Sequence, residues 1–181
     1  MSGRDSIYIV EDFNFEHDKC DNYVKFIEEY NETGELSLNK SPKITDDARD
    51  EWQKRINYEV PDKIKPLADL IRLNLRLTIY GDPGYIFQKI EGDSNITIDC
   101  IRDANADVVP KDKIKCLTII VALNEFDSNT DLYFPKQGVS IKLKKGEIVV
   151  FPPYWTHPYK IRTTDPNSVV YTIKTWMFGE S

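Results

Sequence analysis

The spacing of hydrophobic residues along this chain changes near Gly84, and that change divides its architecture. Ahead of it, Ile7-Tyr8-Ile9-Val10 is a short run of β-branched and aromatic residues that predicts a first strand. From Phe15 to Tyr30, the residues Cys20, Tyr23, Val24, Ile27 and Tyr30 recur at three- and four-residue spacings and predict an amphipathic helix. A polar loop with Gly34 and Pro42 follows over residues 31–43. Thr45 or Asp46 is placed to cap a second helix that reaches Arg55. Pro61 to Leu77 predicts a third helix with Ile64, Leu67, Ala68, Ile71 and Leu75 on one face. Gly81-Asp82-Pro83-Gly84 then breaks the pattern.

Beyond Gly84 the apolar runs are short and are divided by Asn, Asp, Gly and Pro. They predict strands over Tyr85–Ile90, Asn95–Ile101, Cys116–Leu123, Asp131–Phe134, Val139–Leu143, Glu147–Phe151 and Val169–Phe178. The stretch 102–115 is acidic, then basic, and predicts an exposed loop. Helices first and many spaced strands afterwards predict an α+β domain whose β half is a sandwich or barrel. There is no repeat, low-complexity tract or linker. One domain over 1–181 is expected, with helical support in 1–84 and the β core in 85–181.

Composition narrows the function classes. A net charge of −6 gives no electrostatic case for nucleic acid or an anionic membrane. The apolar runs are too short to span a bilayer. The N-terminal MSGRDSIYIVEDF carries acids within its apolar stretch and does not read as a secretory signal. Cys20, Cys100 and Cys116 are an odd count without CxxC spacing. They fit reduced thiols in a reducing compartment such as the cytoplasm better than disulfides or a zinc site.

Candidate chemistry concentrates in LKKGEIVVFPPYWTHPY, from Leu143 to Tyr159. A Lys-Gly turn leads into Ile148-Val149-Val150-Phe151; two prolines end the run, and His157 follows. His17 and His157 are the only histidines in the chain, which gives the second one weight. Five other segments stand in a matching order. They are Asp18-Lys19-Cys20-Asp21, Phe87-Gln88-Lys89-Ile90-Glu91-Gly92, Thr118 to Asn124, Asp131-Leu132-Tyr133-Phe134 and Val170 to Trp176. Together with the KKG turn they resemble the prolyl-4-hydroxylase-like branch of the iron(II)/2-oxoglutarate-dependent dioxygenases, over nearly the whole chain. The resemblance implies a double-stranded β-helix, a jelly-roll of the cupin type, with N-terminal helices packed on one sheet.

It also implies a site. Such enzymes bind iron with two His and one carboxylate on one face of the metal. The first His and the carboxylate stand two apart on a strand, so that both aim the same way. The matching segment here is Thr97-Ile98-Asp99. Asp99 stands for the carboxylate, His157 for the last ligand, and Thr97 occupies the place of the missing His. The basic residue that anchors 2-oxoglutarate aligns with Val170. Thr172 keeps a hydroxyl on the same side. Lys174 shares that facing but stands about 13 Å further along the strand. Lys160 and Arg162, on an expected loop after His157, are the replacement cations within sequence reach. His157 reads either as a metal ligand or as a structural histidine at the barrel mouth. Asp99 reads either as a ligand or as a partner of Lys89, Arg102 or a loop amide.

Two function classes follow. One is a dioxygenase-fold protein with degraded iron and 2-oxoglutarate sites that serves as a non-catalytic binding or structural component of a larger assembly, such as a phage virion, held by a protein partner. The other is an active iron(II)/2-oxoglutarate-dependent hydroxylase of a peptide prolyl residue. Losing both the first His and the basic anchor favours the first.

Overall fold

A computed structural model describes residues 2–4, 6–10, 14–30, 35–36, 44–75, 78–82, 84–92, 96–98, 113–154 and 156–180. The elements run β1 (Ser2–Arg4), β2 (Ile7–Val10), α1 (His17–Tyr30), β3 (Glu35–Leu36), α2 (Asp46–Leu75), β4 (Ile79–Gly81), β5 (Ile86–Glu91), β6 (Ile96–Ile98), β7 (Lys113–Ala122), β8 (Thr130–Phe134), β9 (Val139–Ile141), β10 (Ile148–Phe151), β11 (Tyr159–Thr163) and β12 (Val169–Glu180).

The strands form two antiparallel sheets. The larger is ordered β1-β2-β10-β7-β12-β5-β3, with β4 also paired to β12; the smaller is ordered β6-β11-β8-β9. Apolar residues fill both sides of the larger sheet. On one side Tyr23, Phe26 and Ile27 of α1, with Ile56, Val60, Leu67 and Ile71 of α2, pack on Phe87, Ile119, Val121, Val150 and Ile173. On the other, Ile120, Ala122, Val149, Phe151 and Val170 face Leu132, Phe134, Tyr159 and Ile161 of the smaller sheet. Successive strand residues point opposite ways, so β7, β10 and β12 serve both layers at once. Their near-continuous apolar sequence is the consequence. The fold is thus the expected α+β double-stranded β-helix with N-terminal helices on one sheet.

Helix α2 departs from the two helices expected on either side of Pro61. It is a single 30-residue helix with Pro61 and Pro66 inside it. Proline removes a helical hydrogen bond and crowds the preceding turn. The buried stripe Ile56, Val60, Ile64, Leu67, Ile71 nevertheless continues across Pro61 at three- and four-residue steps. Burial of that stripe outweighs the local penalty. Thr45 settles the cap: its Oγ1 accepts the Ala48 N–H at 3.4 Å.

Two further expectations need correction. Lys160 and Arg162 lie on strand β11, not on a loop. Strand β7 begins at Lys113, so the end of the expected loop over 102–115 is strand; residues 102–112 fall outside the described residues.

The KKG turn has a structural reason. Gly146 adopts φ +85, and a Cβ there would fall on the Phe15 carbonyl oxygen. Gly146 C=O accepts the Phe15 N–H and its N–H donates to Ala122 C=O, both at 2.8 Å. Lys145 adds an ion pair with Asp21 at 2.7 Å. The turn thereby pins α1 to the central strand.

Candidate functional site at the barrel mouth

Strand β10 is buried at all four positions, and Pro152 and Pro153 end it at one end of the space between the sheets. The chain then turns back. His157 N–H donates to Tyr154 C=O at 2.8 Å, and Gln137 Nε2 donates to Thr156 C=O at 2.7 Å. This turn delivers His157 to the mouth with 8% of its surface exposed. Its Nδ1 shares a 2.9 Å hydrogen bond with Thr156 Oγ1.

Strand β6 ends beside this turn. Ile98 is the register partner of Tyr159, Thr97 of Lys160 and Ile96 of Ile161. Along β11 burial alternates: Tyr159, Ile161 and Thr163 are buried, while Lys160 and Arg162 are half-buried. Thr97 therefore takes the register position of outward-facing Lys160, and Ile98 that of inward-facing Tyr159. The pairing brings the backbone of this segment close to the turn that carries His157, but Thr97 takes the outward register position rather than the inward one expected of a ligand pair. Asp99 and Cys100 lie outside the described residues. Among the described residues, no three of His, Cys, Asp and Glu come together in a way that would hold a metal ion. His17, at the exposed start of α1, belongs to the opposite side of the larger sheet from the barrel.

The interior behind His157 is filled by aromatic rings. Phe151 packs edge-on against Phe134 and against Tyr159, with both centroid separations 4.9 Å. Phe134 and Tyr159 stand 6.2 Å apart. Deeper in, Val170 is 0% exposed in the same apolar cluster as Ile90, Leu132 and Ile161.

The residues considered for 2-oxoglutarate have other contacts. Thr172 Oγ1 donates to Gln88 Oε1 at 3.0 Å, and both side chains are buried. Arg162 grips Asp131 through Nε at 2.7 Å and through Nη2, and its guanidinium lies 3.9 Å over the Tyr133 ring. Burial pushes the Asp131 carboxyl upward, but hydrogen bonds from Arg162 and Ser140 outweigh it and leave the group below its ordinary range. Lys160 stands between Thr97 and Tyr133 on the same outer face.

Two features of this region received no structural role in the sequence reading. Asn124 closes the barrel's other end, donating through Nδ2 to Val169 C=O at 2.7 Å and accepting the Tyr171 N–H at 2.9 Å. Its place directly after the apolar run Thr118–Leu123 was the available signal. The second is the polar content of β12 and β7 toward the mouth. Lys174 and Lys115 are 3% and 4% exposed, and no one-residue pattern announces a buried lysine.

No protein-family model matches the chain, and no curated protein matches it. Solved structures do. A viral collagen prolyl hydroxylase from Paramecium Bursaria Chlorella virus-1 superposes with a TM-score of 0.60 at 12% identity, covering 100% of this chain and 96% of that one. A Trichoplax adhaerens prolyl hydroxylase, in complex with a hypoxia inducible factor peptide fragment, gives 0.60 at 16% identity, covering 97% and 84%. HygX from Streptomyces hygroscopicus, solved with nickel and 2-oxoglutarate bound, gives 0.60 at 9% identity, covering 97% and 82%. The chain has the fold of the prolyl hydroxylases and related iron/2-oxoglutarate oxygenases.

Proposed function

We propose that this protein keeps the dioxygenase fold with degraded iron and 2-oxoglutarate sites, and serves as a non-catalytic binding or structural component of a larger assembly such as a virion. The observation that carries this reading is the filled barrel. Val170, fully buried among aliphatic side chains, occupies the position that the resemblance gives to the basic anchor. A carboxylate pushed in there would displace packed rings and meet no charge from that residue. An unpaired buried carboxylate costs several kcal/mol, a large part of the roughly 8 kcal/mol that a micromolar ligand gains. Arg162, tied to Asp131 on the outer face, supports the same view. So does Thr97, because a threonine hydroxyl is a poor iron(II) ligand beside imidazole.

His157 favours a second reading. It is the one histidine at the mouth, beside the end of β6, in a fold whose solved examples include prolyl hydroxylases and an oxygenase with iron bound. In that reading, His157 and Asp99 hold iron and the substrate is a peptide prolyl residue.

Succinate release separates the two. With iron(II), 2-oxoglutarate, ascorbate and proline-containing peptides, we expect no turnover above the enzyme-free background. Iron-dependent succinate that disappears in His157→Ala would establish the hydroxylase instead. Calorimetric titration with iron(II) is expected to show weak binding by the wild type. Tight binding that His157→Ala leaves unchanged would mean that the ligands lie elsewhere. If the chain is a virion component, it co-sediments with purified particles of its source; absence from them removes that part of the proposal.

A further inference from the structure

We draw no further inference here: the strongest candidate, the open groove along the outer face of the N-terminal half of α2 between Asp47, Glu51 and Tyr58, is a cluster of charged side chains beside one exposed ring, and nothing in the structure shows what covers it.

Discussion

At the residue scale, single side chains hold the layers of this fold together. Glu16, just ahead of α1, pairs with Lys19 at 3.1 Å and with Lys63 of α2. The hydrogen bond from Lys63 is the strongest influence on its carboxyl; it outweighs burial and, with Lys19, holds the group down to about 2. A carboxyl depressed in the folded state stabilises fully above its unfolded value, about 4.3, and that contribution fades as pH falls from there toward the folded value. With 42% of the Glu16 side chain exposed, water screens the pairs, so the contribution at neutral pH is no more than about 1 kcal/mol. Glu16→Gln is therefore expected to be slightly less stable than wild type at neutral pH, and the gap should close on acidification through that window. Denaturant midpoints measured at neutral pH and on either side of the window check this. A constant gap at every pH would show that the ion pairs contribute nothing.

Cys20 gives a second prediction at this scale. Burial pushes its thiol up to about 11, so the native protein holds little thiolate there at mildly alkaline pH. Iodoacetamide is expected to modify Cys20 far more slowly in the native state than after unfolding. Equal rates in the two states would place the thiol at the surface.

At the element scale, α2 poses the sharpest question, because its sequence reads as two helices and its structure is one. The two readings give opposite signs for one substitution. Pro61 inside a continuous helix costs about 3 kcal/mol relative to Ala. Pro61 at the first position of a separate helix would be favourable, with its fixed φ already suited to the start. Pro61→Ala is expected to raise stability by about 1–3 kcal/mol, read from chemical denaturation. A loss of stability would restore the two-helix reading. The helix is tied across the core by Tyr23, whose hydroxyl donates to Glu59 at 3.0 Å, while Glu59 also pairs with Arg55 at 2.9 Å. Those contacts need α1 and α2 already side by side, which is why helical periodicity alone does not reveal them.

At the scale of the whole molecule, one sheet carries two cores. The helix-side and barrel-side clusters share β7, β10 and β12, so neither side can lose its packing without exposing the back of the other. Far-ultraviolet circular dichroism and tryptophan fluorescence are expected to report one coincident unfolding transition. Two separated transitions would mean that the helical layer comes off by itself. Phe151→Ala, which opens the centre of the aromatic filling, is expected to cost about 3–5 kcal/mol. A near-neutral result would show that the barrel is open where the rings now pack.

The sequence by itself determined the class of fold. Period-two and period-four patterns record which face of an element is buried, and the order of Asp18–Asp21, Lys144–Gly146, His157 and Val170–Trp176 is a linear property of the chain. It also carried the absence of a first histidine ahead of Asp99 and of a cation at Val170. Tertiary structure alone decided the rest, because those outcomes depend on pairing between distant strands. Register sets Thr97 opposite Lys160. Pairing with β8 draws Arg162 to Asp131 on the outer face. Packing of Phe134, Phe151 and Tyr159 fills the barrel. A bulge between β7 and β12 brings Lys115 onto the Trp176 ring. A strand's own sequence says which residues alternate, but only its neighbours determine what each alternate residue meets.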